Sequence, residues 1–154
     1  MWTAVTSQSD ADHLLDVMRG FHDSCIREAH VWGGYFVAEN RSMACPDTPD
    51  LRCRLLIQSQ FSSVSAVELV FDGVSHLCLT APEGYDRIIL KVALRVEKDR
   101  IFWSPDRNVQ EPGPESQFDT VILSKRLWWK ELGNALGPAL RYADIDSLPS
   151  ASAP

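Results

Sequence analysis

Hydrophobic and polar residues alternate with a period of two along most of the chain. One segment near the N-terminus has a longer, helical period instead. In the stretch "SDADHLLDVMRG" the apolar positions, among them Leu14 and Met18, follow the period of an α-helix. Ser9 and Asp12 have the spacing of an N-terminal capping box. We therefore predict one N-terminal helix over about residues 10–19.

From Cys25 onward the period changes to two, which is typical of β-strands. In "CIREAHVW" this alternation places Ile26 and Glu28 on one face, together with His30 and Trp32. The residues predicted to face the core in the following strands are Leu51, Cys53, Leu55, Ile57 and Phe61, then Val67, Leu69 and Phe71, then Ile88, Leu90, Val92, Leu94 and Val96.

Short turn sequences separate the predicted strands. Asp72-Gly73 predicts a hairpin that joins "AVELVF" to "VSHLCL", and Lys98-Asp99 predicts a second hairpin. The run "TVILSKRLWWKEL" predicts one last strand, on which Trp128 and Trp129 must point to opposite faces.

One helix and about seven strands joined by short turns predict a mostly β protein, at the margin of the α+β class. Neighbouring strands should pair antiparallel, in a β-sandwich or a strongly bent sheet. We expect a single β-rich domain over residues 1–143. Residues 144–154, rich in Ser, Ala and Pro, are predicted to form a flexible C-terminal tail.

The charge of the 154-residue chain narrows the possible partners. It carries 15 basic and 21 acidic residues, a net charge of −6. This balance argues against nucleic-acid binding, which needs a basic surface. The first 50 residues hold most of the excess negative charge, which permits a basic protein partner, although an ordinary solvated acidic surface is the favoured interpretation.

The N-terminal residues lack the charged start and apolar run of a signal peptide. The chain has no apolar stretch of the length that a membrane helix needs. We therefore predict a cytoplasmic protein that does not enter a membrane, with its four cysteines as free thiols.

A polar cluster, "FHDSC", marks the predicted join between helix and strand. His22, Asp23 and Ser24 can satisfy backbone groups at such a corner. The catalytic alternatives are a triad of these three residues, or a Cys25 nucleophile assisted by His22 or His30. Three consecutive residues rarely converge on one point, so the structural role is favoured.

Two His/Cys pairs have ligand types that zinc uses, His22-x-x-Cys25 and His76-x-Cys78. Neither contains the CxxC spacing of a structural zinc site. The sequence also lacks the common nucleotide-binding, hydrolase and metalloprotease motifs. We predict no catalytic residues, no metal and no cofactor.

Polar residues alternate with apolar ones on two neighbouring strands and define a candidate binding face, although an ordinary solvent-exposed face is the favoured interpretation. Trp128, on the polar side of the last strand, is either an exposed interface anchor or buried under the C-terminal tail. The complete set of candidate binding residues is Arg52, Arg54, Gln58, Gln60, Glu68, His22, Asp23 and Trp128.

The run Phe21-His22-Asp23-Ser24, followed by the strand "VELVFDG", resembles an uncharacterised bacterial family over roughly residues 20–103. No activity is established for that family, so the resemblance implies no catalytic residues. The chain is more loosely similar to immunity-type proteins of bacterial toxin systems, through Phe21-His22-Asp23 and Phe71-Asp72-Gly73-Val74. That similarity implies a protein that neutralises a toxin by covering it, without a cofactor.

Together these features predict a non-catalytic protein-interaction domain, an immunity-like partner of a basic protein. One alternative is a small-ligand-binding domain or an enzyme that uses the polar face or the cluster of His22, Asp23 and Cys25. Another is a homodimer built through strand edges or through Trp128 and Trp129.

Overall fold

The computed structural model describes residues 1–47, 50–80, 88–105 and 120–142. They form one α-helix, α1 (Gln8–Val17), a 3₁₀ turn (Arg19–Phe21) and eleven strands. The strands are β1 (Thr3–Val5), β2 (Ser24–Trp32), β3 (Phe36–Val37), β4 (Met43–Ala44), β5 (Arg52–Ser59), β6 (Ala66–Asp72), β7 (His76–Cys78), β8 (Ala93–Glu97), β9 (Arg100–Ser104), β10 (Val121–Ser124) and β11 (Arg126–Glu131).

The predicted mostly β class with one N-terminal helix is confirmed. A five-stranded sheet has the order β1-β11-β6-β5-β2, and a four-stranded sheet has the order β7-β10-β9-β8. Strands β3 and β4 form a separate two-stranded sheet. All of these pairings are antiparallel, and the hairpin predicted at Lys98-Asp99 joins β8 to β9.

The two larger sheets and α1 enclose one hydrophobic core. Phe71 of the five-stranded sheet meets Trp103 of the four-stranded sheet edge to face, with ring centres 5.8 Å apart. Leu14 and Met18 of the helix side are fully buried in the same core. Because each strand turns its apolar residues to this core, the polar residues of the five-stranded sheet lie together on its opposite face, here called the outer face.

The N-cap of α1 is Ser7, so the assignment of this role to Ser9 was wrong. The Ser7 hydroxyl accepts a hydrogen bond from the backbone N–H of Asp10, and the Asp10 carboxylate accepts one from the N–H of Ser7. Hydrogen bonds from the Thr6 side chain and backbone, and from Ser7, lower the pKa of Asp10 to about 2. Two Ser-x-x-Asp steps overlap in this sequence, and only the first has this reciprocal pair.

The hairpin predicted at Asp72-Gly73 is wrong, because the chain passes there from one sheet to the other. Strand β6 pairs with β5 and β11, whereas β7 pairs with β10. The run 120–132 makes a second crossing and is two strands, with Lys125 between β10 and β11. The Lys125 N–H donates to the carbonyls of Asp72 and Gly73, so the two crossings lie side by side.

The alternation fails at two further places. Phe61 is exposed and does not face the core, because β5 ends at Ser59. Ile88 and Leu90 are exposed, whereas Ile89 between them is buried. Ile89 exchanges backbone hydrogen bonds with Ser24, and this bridge fixes its orientation.

A β-bulge in β2 separates two residues that were predicted to share a face. Ile26 is opposite Ile57 and packs against the main core. Glu28 is opposite Leu56 on the outer face, so Arg27 is the extra residue. The bulge therefore shifts the alternation by one residue and points Glu28 away from the core.

None of the helices in the described residues is both long and apolar enough to span a membrane. The predicted tail, residues 144–154, lies outside the described residues.

Candidate functional site

The outer face of the five-stranded sheet brings together most of the predicted binding residues. Arg52, Arg54 and Gln58 come from β5, Glu68 from β6 and Trp128 from β11. Gln60 lies beyond the end of β5, where its N–H donates to the carbonyl of Asp23. The structure adds polar residues that sequence reasoning did not select, namely Glu28, Asp72, Arg126, Lys130 and Tyr142.

Two buried carboxylates on this face are each held between two cations. Glu68, which is 4% exposed, lies 2.6 Å from Lys130 Nζ and 3.1 Å from Arg54 Nε. Asp72 receives the Arg52 guanidinium at 2.7 Å from one side and that of Arg126 from the other. The antiparallel register explains this arrangement, because Asp72 is directly opposite both of its arginines.

These contacts keep both carboxylates ionised. Burial alone would raise the pKa of Glu68, but hydrogen bonds from Lys130 and Tyr142 and the charge of Arg54 bring it below its ordinary value. Burial likewise opposes the ionisation of Asp72, and its two arginines lower the pKa overall. Neither carboxyl is thus suited to donate a proton as a general acid near neutral pH.

The segment after β11 lies across the outer face, and we call residues 132–142 the strap. The Gln58 amide donates to the carbonyls of Ala135 and Gly137, at 2.6 and 3.0 Å. The Arg27 guanidinium donates to the carbonyl of Pro138. The polar face that the sequence left open as a groove or a solvent-exposed surface is therefore partly covered by the chain itself.

The far end of the strap is held by Glu28. One carboxylate oxygen accepts the N–H of Arg141 at 2.7 Å, and the other accepts the N–H of Tyr142 at 2.8 Å. The bulge in β2 is what points Glu28 toward the strap. The strap also has a small apolar cluster of its own, separate from the main core, in which Leu56, Ala66 and Ala135 are buried.

The Tyr142 side chain occupies a polar socket on the sheet. Its hydroxyl donates to Glu68 Oε1 at 2.7 Å, and the Arg54 guanidinium carbon lies 5.2 Å from its ring centre. The His30 ring is 6.3 Å away. Burial and the neighbouring Glu68 raise the pKa of Tyr142, which therefore stays a neutral hydrogen-bond donor.

The polar cluster of the helix–strand join lies at a corner of the backbone. The imidazole of His22 is 2.7 Å from the Asp23 carboxylate, and both Phe21 and Asp23 have positive φ angles. The Gly20 carbonyl accepts the N–H of Val92, which ties the corner to the chain before β8. These contacts favour the structural role predicted for His22 and Asp23.

The cysteines lie apart in the fold and are free thiols. Burial raises the pKa of the Cys53 thiol to about 11, which leaves it protonated at neutral pH. Among the described residues no group of three or more His, Cys, Asp or Glu side chains is placed to hold a metal ion.

A second surface lies outside the candidate binding residues selected from the sequence. Strands β3 and β4 form a hairpin whose tight turn at residues 39–42 includes Arg41 with a positive φ of 65°. We call residues 35–44 the hairpin arm. Its large apolar side chains are about three-fifths exposed, at 60% for Tyr35, 62% for Phe36, 61% for Val37 and 62% for Met43. The short apolar runs on either side of "AENRS" were the available signal.

Two cavities of about 520 and 150 Å³ lie elsewhere on the described part of the molecule. The larger is next to the β8–β9 turn and the smaller is beside β1. Neither is lined by Arg54, Gln58 or Glu68.

Comparison of the chain with protein-family models, with curated proteins and with solved structures finds no match. The bacterial family and immunity-type resemblances stay predictions.

Proposed function

We propose that this protein is a non-catalytic interaction domain that binds a basic protein through the hairpin arm. The observation that carries this proposal is the exposure of Tyr35, Phe36, Val37 and Met43 on one small hairpin. Clustered exposed apolar side chains are unfavourable in water unless a partner covers them. Aromatic residues of this kind commonly supply most of the binding energy of a protein interface.

The construction of the arm supports the same conclusion. Its two strands have two residues each and pair only with each other among the described strands. A hairpin of this size is marginally stable by itself. Contact with a partner would bury its apolar side chains and order it at the same time.

The charge near the arm favours a basic partner. Residues 33–50 contain Glu39, Asp47 and Asp50, with Arg41 as the only base in that range. Charge complementarity speeds encounter and selects among partners. An acidic binder of a basic protein agrees with the immunity-type resemblance, and the free thiols support action in a reducing compartment such as the cytoplasm.

The small-ligand and enzyme alternatives receive less support from the outer face. Glu68 and Asp72 are already neutralised by ion pairs, and the strap uses Gln58 and Glu28. Groups that satisfy one another in this way stabilise a fold but do not present a reactive acid or base.

The test starts in cells that make the protein naturally. A photo-cross-linking residue replaces Val37 of the arm in one variant and Phe61, a similarly exposed residue outside the arm, in another. We expect a basic protein to cross-link from position 37 and not from position 61. A dominant self-cross-link would support the homodimer instead, and an acidic partner would contradict the charge argument.

The binding constant is then measured with the purified partner. We expect Phe36→Ser to weaken binding by about 10- to 100-fold, the range of an aromatic interface residue, while Phe61→Ser leaves it unchanged. Added salt should slow association, because a charge-steered encounter is screened. Equal losses in the two variants would remove the arm from the interface.

A further inference from the structure

The contacts between the sheet and the strap go mainly to the main chain of the strap. Gln58 and Arg27 together donate to three carbonyls, and Glu28 accepts two N–H groups. Side chains that bind carbonyls and N–H groups contact backbone atoms that every peptide shares, and the strap presents these atoms along a turned path with positive φ at Asn134 and Gly137. The outer face thus has the chemistry of a peptide-binding surface.

The sheet contacts one residue of the strap, Tyr142, through its side chain. The Tyr142 hydroxyl reaches the buried Glu68 carboxylate, and its ring lies beside the Arg54 guanidinium. A phenylalanine could fill the same space but could not donate the hydrogen bond. The socket therefore distinguishes tyrosine from phenylalanine.

The strap itself is weakly attached for its length. It contributes one buried residue, Ala135, and two partly buried ones, Leu132 and Tyr142, to its small apolar cluster, while most of its other residues are exposed. Its apolar Leu136 is 58% exposed. Segments with few buried apolar contacts open locally at a lower free energy than the core.

We propose that the outer face is a peptide-binding surface, that the strap is its resident occupant, and that a tyrosine-bearing segment of a protein partner displaces the strap. The inference rests on the proposed function in that the domain binds a protein, but it uses a surface distinct from the hairpin arm.

The test uses a fluorescent peptide with the sequence of the strap, "LGNALGPALRY", added to the full chain. In the unaltered protein the strap competes at a high effective concentration. The Tyr142→Ala variant empties the socket while Glu28, Arg54 and Glu68 remain. We expect this variant to bind the peptide at least about tenfold more tightly than the unaltered chain, as measured by fluorescence anisotropy.

Two controls give the experiment its specificity. Phe61→Ala removes an exposed aromatic residue elsewhere, and it should bind the peptide as weakly as the unaltered chain does. A peptide ending in Phe instead of Tyr should bind Tyr142→Ala about tenfold less tightly, because it lacks the hydrogen bond to a charged group. Equal binding by Tyr142→Ala and Phe61→Ala, or by the two peptides, would overturn the proposal.

Hydrogen exchange of the unaltered protein tests the opening of the strap without any substitution. The amides of Arg141 and Tyr142 should exchange at least about 100-fold faster than those of β6, because the strap leaves without global unfolding. Exchange at equal rates would also overturn the proposal. The peptide probe has the sequence of the strap, so its failure to bind would contradict the peptide-binding proposal but not the binding of a partner by the hairpin arm. Conversely, loss of partner binding in hairpin-arm variants would not contradict the proposal for the outer face.

Discussion

Glu68 is the residue on which the charges of the outer face converge. A buried carboxylate is stable only if cations and hydrogen bonds replace the water it has lost. Arg54, Lys130 and Tyr142 supply these contacts from three different parts of the chain. Removing the charge would leave two cations close together with no anion between them.

We predict that Glu68→Gln lowers the free energy of unfolding by about 2 kcal/mol, less than the roughly 3–5 kcal/mol of a fully buried ion pair because Arg54 and Lys130 are partly exposed. Urea denaturation of the variant and the unaltered chain measures the difference. The matched control is Glu97→Gln, in which an exposed ion pair with Arg100 is lost. That control should cost about 0.5 kcal/mol or less, and equal costs would contradict the role assigned to Glu68.

At the scale of single residues, alternation predicted the face on which Glu68 lies but not its partners. The strand pattern placed Arg54 and Glu68 on the same face, because both are polar residues on otherwise apolar strands. Tyr142 follows a segment with no regular period, so no local pattern indicated where it would dock. Such a contact depends on the path of the chain through space.

At the scale of elements, the bulge in β2 determines what the outer face can bind. If Arg27 were paired regularly and β2 had no bulge, Ile26 and Glu28 would share one face, as the alternation predicts. The bulge allows Ile26 to enter the main core while Glu28 reaches the strap.

Two single-residue deletions test this description. Deleting Arg27 should leave Ile26 and Glu28 opposite their present partners in a regular ladder, so we expect a folded protein with a weakened strap. Deleting Ala29 moves either Glu28 or His30 to the wrong face of the sheet. We therefore expect the Ala29 deletion to melt at least about 5 °C lower than the Arg27 deletion, by circular dichroism. The reverse order would show that Arg27 is not the extra residue.

The errors in element prediction have a common physical origin. Asp72-Gly73 suits a tight turn, and Gly73 does adopt a positive φ of 62°, but the turn leads into the other sheet. The bulge and the orientation of Ile89 likewise depend on which strand lies opposite. Local sequence strongly specifies the backbone conformation of a residue. It specifies much more weakly which distant strand that residue will pair with.

At the scale of the whole molecule, the two carboxylates of the outer face link stability to pH. Their folded-state pKa values lie below the ordinary values of about 4. A lowered folded-state pKa adds stability that is present above the unfolded-state pKa and is lost as the pH falls through the folded-state pKa.

We therefore predict that the free energy of unfolding declines as the pH is lowered below about 4. Asp72→Asn should be less stable than the unaltered chain near pH 7 and should show a shallower decline in acid. The double variant Glu68→Gln, Asp72→Asn should be shallower still. Urea denaturation at several pH values checks this, and parallel declines in all three proteins would contradict the ion-pair account.

The mostly β class, the single helix and the strands β5, β6, β8 and β9 could be predicted from periodicity. The order of the strands within the sheets could not be predicted, because β11 lies between β1 and β6 although both strands precede it by many residues. The hairpin arm could not be predicted for a different reason. Its exposed apolar residues look like strand residues, but each run is too short to show a period.

The pairing of β1 with β11 also affects how the protein folds during synthesis. Among the described residues, Thr3 pairs with Trp129 and Val5 with Leu127. One edge of the larger sheet must therefore wait until translation has passed residue 131, while the β8–β9 hairpin can form from neighbouring residues much sooner. Until β11 pairs with β6, the edge of β6 that will contact β11 is exposed in the growing chain. A chaperone can cover the unpaired hydrogen-bonding groups of this edge and so prevent aggregation.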